Sequence, residues 1–60
     1  MKQKLYNLIN QRAGLLKKAE EALDAENKSE YQSLMEQIHN LNAEIKDVQA
    51  LVDEQDRQMM

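Results

Sequence analysis

The stretch Asp24-Ala25-Glu26-Asn27-Lys28-Ser29 decides the fold, because it interrupts a helical pattern that otherwise runs along the whole chain of 60 residues. On both sides of it, apolar residues recur at spacings of three and four, which places them on one face of an α-helix. Within it, Asn27 favours the left-handed conformation that ends a helix. Ser29, with Gln32 three residues later, fits the capping box that begins one. The stretch is therefore predicted to be a turn between two helices.

A turn this short forces the two helices to pack antiparallel to each other. We therefore predict an all-α fold, a coiled-coil-like antiparallel hairpin, as the single unit formed by residues 1–60. The helices are expected to cover about 3–25 and 30–58, with the turn near 26–29. Folding back at the turn brings together positions whose numbers sum to roughly 56–57. The expected neighbours are Leu8 and Val48, Leu16 and Leu41, and Leu23 and Leu34.

The apolar positions define the surface on which the helices are predicted to meet. In the second segment they form two alternating heptad rows over about four heptads, as in a coiled coil. In the first segment the stripe is broader and could contact more than one helix. The positions predicted for the core and for self-association are Leu5, Leu8, Ile9, Leu15, Leu16, Leu23, Leu34, Met35, Ile38, Leu41, Ile45, Val48 and Val52.

The small size of the chain predicts oligomerisation. A domain this short usually needs disulfides, a metal or a partner chain for stability, and the sequence has no Cys. The second helix, ~43 Å long, should extend past the first, ~34 Å long, so residues 52–60 are expected to lack a full partner within the chain. We therefore expect hairpins to pack into a helical bundle, with self as the main partner. Met59 and Met60 are candidate partner contacts or simply a chain end.

Charged residues near the predicted interface have two interpretations each. Arg12 lies on the apolar stripe, where it either forms a buried ion pair with Glu44 or lays its stem on the stripe and places its guanidinium in water. The basic start of the chain, with Lys2 and Lys4, lies in the predicted register beside the acidic residues of 53–56. An internal charge match therefore explains the basic end better than a nucleic-acid site does.

The residue types that carry chemistry are sparse. With no Cys, a single His39 and no Gly-rich phosphate loop, we expect no catalytic residues, no metal and no cofactor. No apolar run of 18 residues occurs, so no membrane span is expected, and the simplest location is cytoplasmic. His39 is interpreted as a solvated surface residue. Gly14 has two interpretations, a site of close approach by another helix or a tolerated surface glycine.

The sequence also resembles a known family. Met1-Lys2 leads into Leu5, Leu8-Ile9 and Arg12-Ala13-Gly14-Leu15-Leu16-Lys17-Lys18-Ala19-Glu20-Glu21-Ala22-Leu23, followed by a polar turn and a second heptad helix. This pattern is similar to the N-terminal delta domain of tailed-bacteriophage major capsid proteins. The resemblance implies an internal scaffold that guides procapsid assembly in the bacterial host cytoplasm, contacts capsid subunits and is later removed by proteolysis. It also implies that residues 1–60 are the N-terminal fragment of a longer chain, and it assigns no catalytic residues to them.

Two other functions remain open at this point. The chain could be a stand-alone coiled-coil adaptor or regulator that binds a helix of another protein. It could also be a nucleic-acid-binding arm that uses its basic first helix, for which binding with a steep salt dependence would be diagnostic.

Overall fold

The structure, a computed structural model, describes residues 1–58 and shows an antiparallel helical hairpin. Helix α1 covers Lys2–Asp24 and helix α2 covers Lys28–Gln58. Together they form a rod with extents of 50 × 14 × 11 Å. The predicted all-α hairpin is confirmed, and each predicted helix boundary within the described residues lies within two residues of the observed one.

The end of α1 is closed by a Schellman motif, in which two backbone N–H groups bond back to carbonyls of the last helical turn. Glu26 N–H donates to the Leu23 carbonyl at 3.0 Å, and Asn27 N–H donates to the Ala22 carbonyl at 2.9 Å. Glu26 supplies the left-handed residue that this motif requires, with φ of 59°. The prediction that Asn27 takes this conformation is therefore wrong by one residue.

Asn27 instead caps the start of α2. Its side-chain Oδ1 accepts a hydrogen bond from the Glu30 N–H at 3.3 Å, and its Nδ2 donates to the Glu30 carboxylate at 3.0 Å. An Asn at this position satisfies a backbone donor that the first turn of a helix otherwise leaves free. The capping box predicted at Ser29 is therefore replaced by a cap two residues earlier, which is why α2 begins at Lys28.

The core consists of two clusters along the helix interface. Near the open end, Ile9, Leu41 and Ile45 pack against a buried group, and near the turn, Leu15, Tyr31 and Met35 pack against another. The buried residues of the first cluster are Leu5, Leu8, Val48 and Val52, and those of the second are Ala19, Ala22, Leu34 and Ile38. Both clusters follow the predicted register, with Leu8 and Val48 packed in the same cluster.

Two of the predicted core positions lie outside the core. Leu16 is 48% exposed and Leu23 is 56% exposed. Each follows a residue that faces α2, and one helical step turns the next side chain about 100° away from that direction. Ala22 rather than Leu23 packs in the cluster with Leu34. Leu16 and Leu23 therefore form the part of the broad stripe that exceeds the two-helix interface, and their part in self-association stays a prediction.

The part of α2 that extends past the start of α1 is shorter than predicted. Val52 is only 4% exposed and packs with Leu5 and Leu8, so α1 does cover it. Helix α2 has 31 residues and α1 has 23. Part of this difference lies at the turn, because α2 begins before the residues that face the end of α1. Met59 and Met60, the candidate partner contacts, lie outside the described residues.

Candidate functional site: an exposed ridge on the first helix

The polar contacts between the helices show which residues of the two helices lie on the same side of the hairpin. Lys2 Nζ lies 3.4 Å from an Asp56 carboxylate oxygen, with 62% and 52% of the two side chains exposed. This pair confirms one part of the predicted charge match between the two ends of the chain. An exposed pair of this kind contributes at most about 1 kcal/mol, so its main value is to identify the side of the hairpin on which both residues lie.

Arg12 uses a partner that the sequence did not suggest. Its half-buried side chain donates a hydrogen bond from Nη1 to Asn42 Oδ1 at 3.0 Å. Glu44 is exposed and forms no ion pair with Arg12 within residues 1–58. The guanidinium of this half-buried residue therefore reaches the edge of the interface, on the same side as the Lys2–Asp56 pair.

A line of exposed residues follows α1 on this side of the hairpin. Its members recur at spacings of three and four, the pattern by which one helix packs against another. Tyr6, Leu16 and Leu23 are 57%, 48% and 56% exposed, Ile9 is half-buried, and the other two members are exposed. We call this set the outer ridge; it consists of Tyr6, Ile9, Ala13, Leu16, Glu20 and Leu23.

The neighbouring edge of α2 does not continue this apolar surface. The row that includes Asn42 and Asp56 also contains Gln49 and, at its turn end, the half-buried Met35. Gln49 Nε2 donates to Asp53 Oδ1 at 3.0 Å, which uses both groups within α2. Only Met35 adds apolar surface, beside the Leu23 end of the ridge in the register set by Lys2 and Asp56. The exposed apolar face of the hairpin therefore belongs mainly to α1.

The opposite edge of the hairpin is polar. An open depression on that edge is lined by Gln11, Leu15, Gln37, Asn40, Leu41 and Glu44. Leu51 is the exception, since it is 54% exposed but lies in a row of α2 with Glu30, Gln37 and Glu44. A single apolar residue in a polar row is common on protein surfaces. The contrast between the two edges, rather than any one exposed leucine, identifies the outer ridge.

Sequence reasoning identified Ile9, Leu16 and Leu23 as a broadening of the stripe but missed Tyr6 and Ala13 as parts of the same line. The signal was present, because these five positions, together with Glu20, keep the alternating spacing of three and four that marks a second packing face. Tyr6 and Ala13 are hard to identify because the same helix carries both the face that packs on α2 and this second face.

The other candidate positions within residues 1–58, His39 and Gly14, lie on the surface. His39 is exposed, as is Gly14, around which a Cβ atom would meet no atom within 4 Å. Across residues 1–58, no group of three or more His, Asp or Glu side chains lies close enough to hold a metal ion. Nor is either helix, as far as it is described, long and apolar enough to cross a membrane.

Comparison with known proteins returned no family model, no curated protein and no solved structure that matches the chain. The exposure, spacing and charge of the outer ridge therefore carry the functional conclusion.

Proposed function

We propose that this chain is a structural assembly element, a rigid hairpin that self-associates through its outer ridge. The observation that supports this most directly is the pair Leu16 and Leu23, one heptad apart on the same edge and each about half exposed. Fully burying a Leu side chain contributes about 1.5–3 kcal/mol. A helix that leaves two such residues in line, with Tyr6 and Ile9 continuing the line, gains free energy when a second helix covers them.

We further propose that this self-association serves shell assembly, in the manner of the internal scaffold domain of tailed-bacteriophage capsid proteins. The ridge offers a small number of apolar contacts, which supports weak binding between individual hairpins. Weak contacts become strong when many copies are held together on one shell, because each further contact forms at a high effective concentration. They also separate readily once proteolysis removes the hairpins from the shell. In this role the partners are other capsid subunits in the procapsid interior.

Self-association is tested by sedimentation equilibrium of the 60-residue chain over a wide range of concentrations. We expect a mass above that of one chain, and a loss of association in the double variant Leu16→Gln/Leu23→Gln. About half of each side chain remains to be buried, so each substitution costs about 1 kcal/mol per copy. Across a two-chain contact the four changes weaken binding on the order of a thousandfold.

Leu51→Gln is the matched control, because Leu51 has the same exposure but lies on the polar edge. It should leave the sedimentation mass unchanged. A wild-type chain that stays a single-chain species at the highest concentration would refute the proposed self-association.

The scaffold role has a separate test in the reading frame that encodes the chain. A shell-forming coat domain encoded directly after residue 60 supports the scaffold role, and deletion of residues 1–60 from that protein should then yield misassembled particles in electron micrographs. A stop codon at that point would argue against the scaffold and favour the adaptor function, in which the ridge binds a helix of another protein.

A further inference from the structure

The outer ridge has the dimensions and spacing of a surface that receives one helix. It runs from Tyr6 to Leu23, nearly the whole length of α1. Its alternating spacing of three and four residues allows its side chains to insert between those of a facing helix. The adjacent edge of α2 is polar apart from Met35. A helix that covers the ridge therefore contacts α1 far more than α2.

The charges of α1 are distributed unevenly along the ridge. Glu20 is the one charged residue of the ridge and lies near its end, between Lys17 and Asp24 in the sequence, whereas Lys2, four residues before Tyr6, is paired with Asp56 of α2. Neither acidic residues in the first turn nor basic residues in the last turn of α1 offset its dipole. The N-terminal end of the ridge therefore carries the positive end of the helix dipole, and the C-terminal end carries the negative end together with Glu20.

A second copy of the same ridge fits this pattern when it runs in the opposite direction. Antiparallel pairing brings Ile9 beside the partner's Leu16, Tyr6 beside the partner's Glu20, and Leu23 beside the aliphatic stem of the partner's Lys2. The Tyr6 hydroxyl can then donate to that carboxylate, which is the one acidic group within the ridge. Ala13 lies at the centre, where its small side chain allows the two backbones to approach closely.

Parallel pairing gives the opposite result. Each residue would then face its own copy, so Glu20 would lie against the partner's Glu20, and the two helix dipoles would point the same way. Like charges placed opposite each other in a coiled coil are destabilising and select against that arrangement. The distribution of charge along the ridge therefore distinguishes between two arrangements that bury the same apolar residues.

We infer that two copies of the hairpin pair through their α1 helices, antiparallel and related by a two-fold axis near Ala13, with both α2 helices on the outside. This inference rests on the proposed self-association and specifies its partner, its face and its direction. A two-fold contact of this kind uses the same surface on both copies and closes on itself. The elementary unit of assembly is therefore a four-helix dimer with α1 helices at its centre.

The direction of pairing is measured by electron spin resonance distances between spin labels in the dimer. The sequence has no Cys, so a single introduced Cys carries the only label on each chain. Asn10→Cys and Asp24→Cys place labels at exposed positions outside the ridge, one near the proposed axis and one at the far end of α1. In the antiparallel dimer the Asp24 positions lie ~35 Å apart along the helix axis. The two Asn10 positions are separated by only a few residues along the helix axis.

The expected result is a long distance from Asp24→Cys and a short one from Asn10→Cys. Short distances from both sites would show parallel pairing and overturn the inference, while leaving the proposed self-association intact. A dimer that persists unchanged in Leu16→Gln/Leu23→Gln would overturn both the inference and the proposed use of the outer ridge, because association would then use another surface. A single-chain mass with no coupling between labels would overturn both proposals together.

A double-mutant cycle tests the register. Dissociation constants are compared for the wild type, Tyr6→Phe, Glu20→Gln and the double variant. In the antiparallel dimer, both single variants remove the same contact. The dissociation constant of the double variant should therefore be lower, on the order of tenfold, than the product of the two single fold-changes implies. Independent effects would show that Tyr6 and Glu20 do not meet, and would overturn this register.

Discussion

Replacing Gly14 with Ala should stabilise the hairpin. Gly14 lies in the interior of α1, where Gly is less favourable than Ala by about 1 kcal/mol because its backbone loses more conformational freedom on folding. The added methyl group causes no steric penalty, since a Cβ atom at this position would meet nothing within 4 Å. We therefore expect Gly14→Ala to raise the free energy of unfolding by about 1 kcal/mol.

The measurement is thermal or urea unfolding followed by far-ultraviolet circular dichroism, at one fixed chain concentration because self-association shifts apparent stability. For a domain of this size, 1 kcal/mol corresponds to a rise in Tm of about 4–8 °C. Ala43→Gly is the matched control, because Ala43 is an exposed residue in the interior of α2. It makes the reverse change and should lower Tm by a similar amount.

The outcome for Gly14→Ala also bears on the proposed dimer. Gly14 does not belong to the outer ridge, so the substitution should leave the dissociation constant unchanged. If Gly14→Ala failed to raise the stability, or weakened association, the reasoning would be refuted. A neighbouring helix would then have to approach the backbone at Gly14, which is the first of the two interpretations that the sequence allowed.

Two further predictions concern the contacts that hold the hairpin together. Asn27→Ala should lower the free energy of unfolding by about 1 kcal/mol through loss of the α2 cap, whereas Asn10→Ala, at an exposed position inside α1, should raise it by about 0.5 kcal/mol because Ala is the better helix former; equal losses in urea unfolding would disprove the capping role. Unfolding free energies of Arg12→Ala and Asn42→Ala, alone and combined, should show coupling of about 0.5–1 kcal/mol, and a cycle of Arg12 with Glu44 should show none. Coupling in the second cycle alone would contradict the hydrogen bond to Asn42.

The architecture follows from patterns that the sequence displays directly. The heptad rows of α2 predict its buried face correctly from Tyr31 to Val52, because a helix of regular period presents the same residues to any single partner. The short polar stretch between the segments predicts the antiparallel arrangement. These features depend on local spacing, which is why one sequence suffices to identify them.

The errors arise where two local solutions compete. Both Asn27 and Ser29 can cap a helix, and Asn27 can also adopt the left-handed conformation. The structure uses Asn27 as the cap and accepts Glu26 in the left-handed position. Spacing alone cannot rank these alternatives, because the choice depends on how the whole turn satisfies its backbone groups.

The candidate site was harder to predict than the fold, because a broad apolar stripe does not say which of its edges is covered. Ala19 and Ala22 occupy the interface near the turn while the larger Leu16 and Leu23 remain outside it. Ranking residues by hydrophobicity would have chosen the leucines. The rotation of α1 is decided by all its contacts together, including Arg12 with Asn42 and Lys2 with Asp56.

The shared role of Asn27 has a consequence for how the hairpin opens. Its backbone N–H completes the end of α1 and its side chain begins α2, so neither helix can unwind at the turn without disturbing the other. The opposite end has no such connection, and an exposed ion pair is the main polar link there. Hydrogen exchange of the hydrogen-bonded helix amides should therefore be slowest near the turn and faster toward the chain ends. Refolding should likewise nucleate at the turn and proceed outward, since contacts close in sequence cost the least loop entropy.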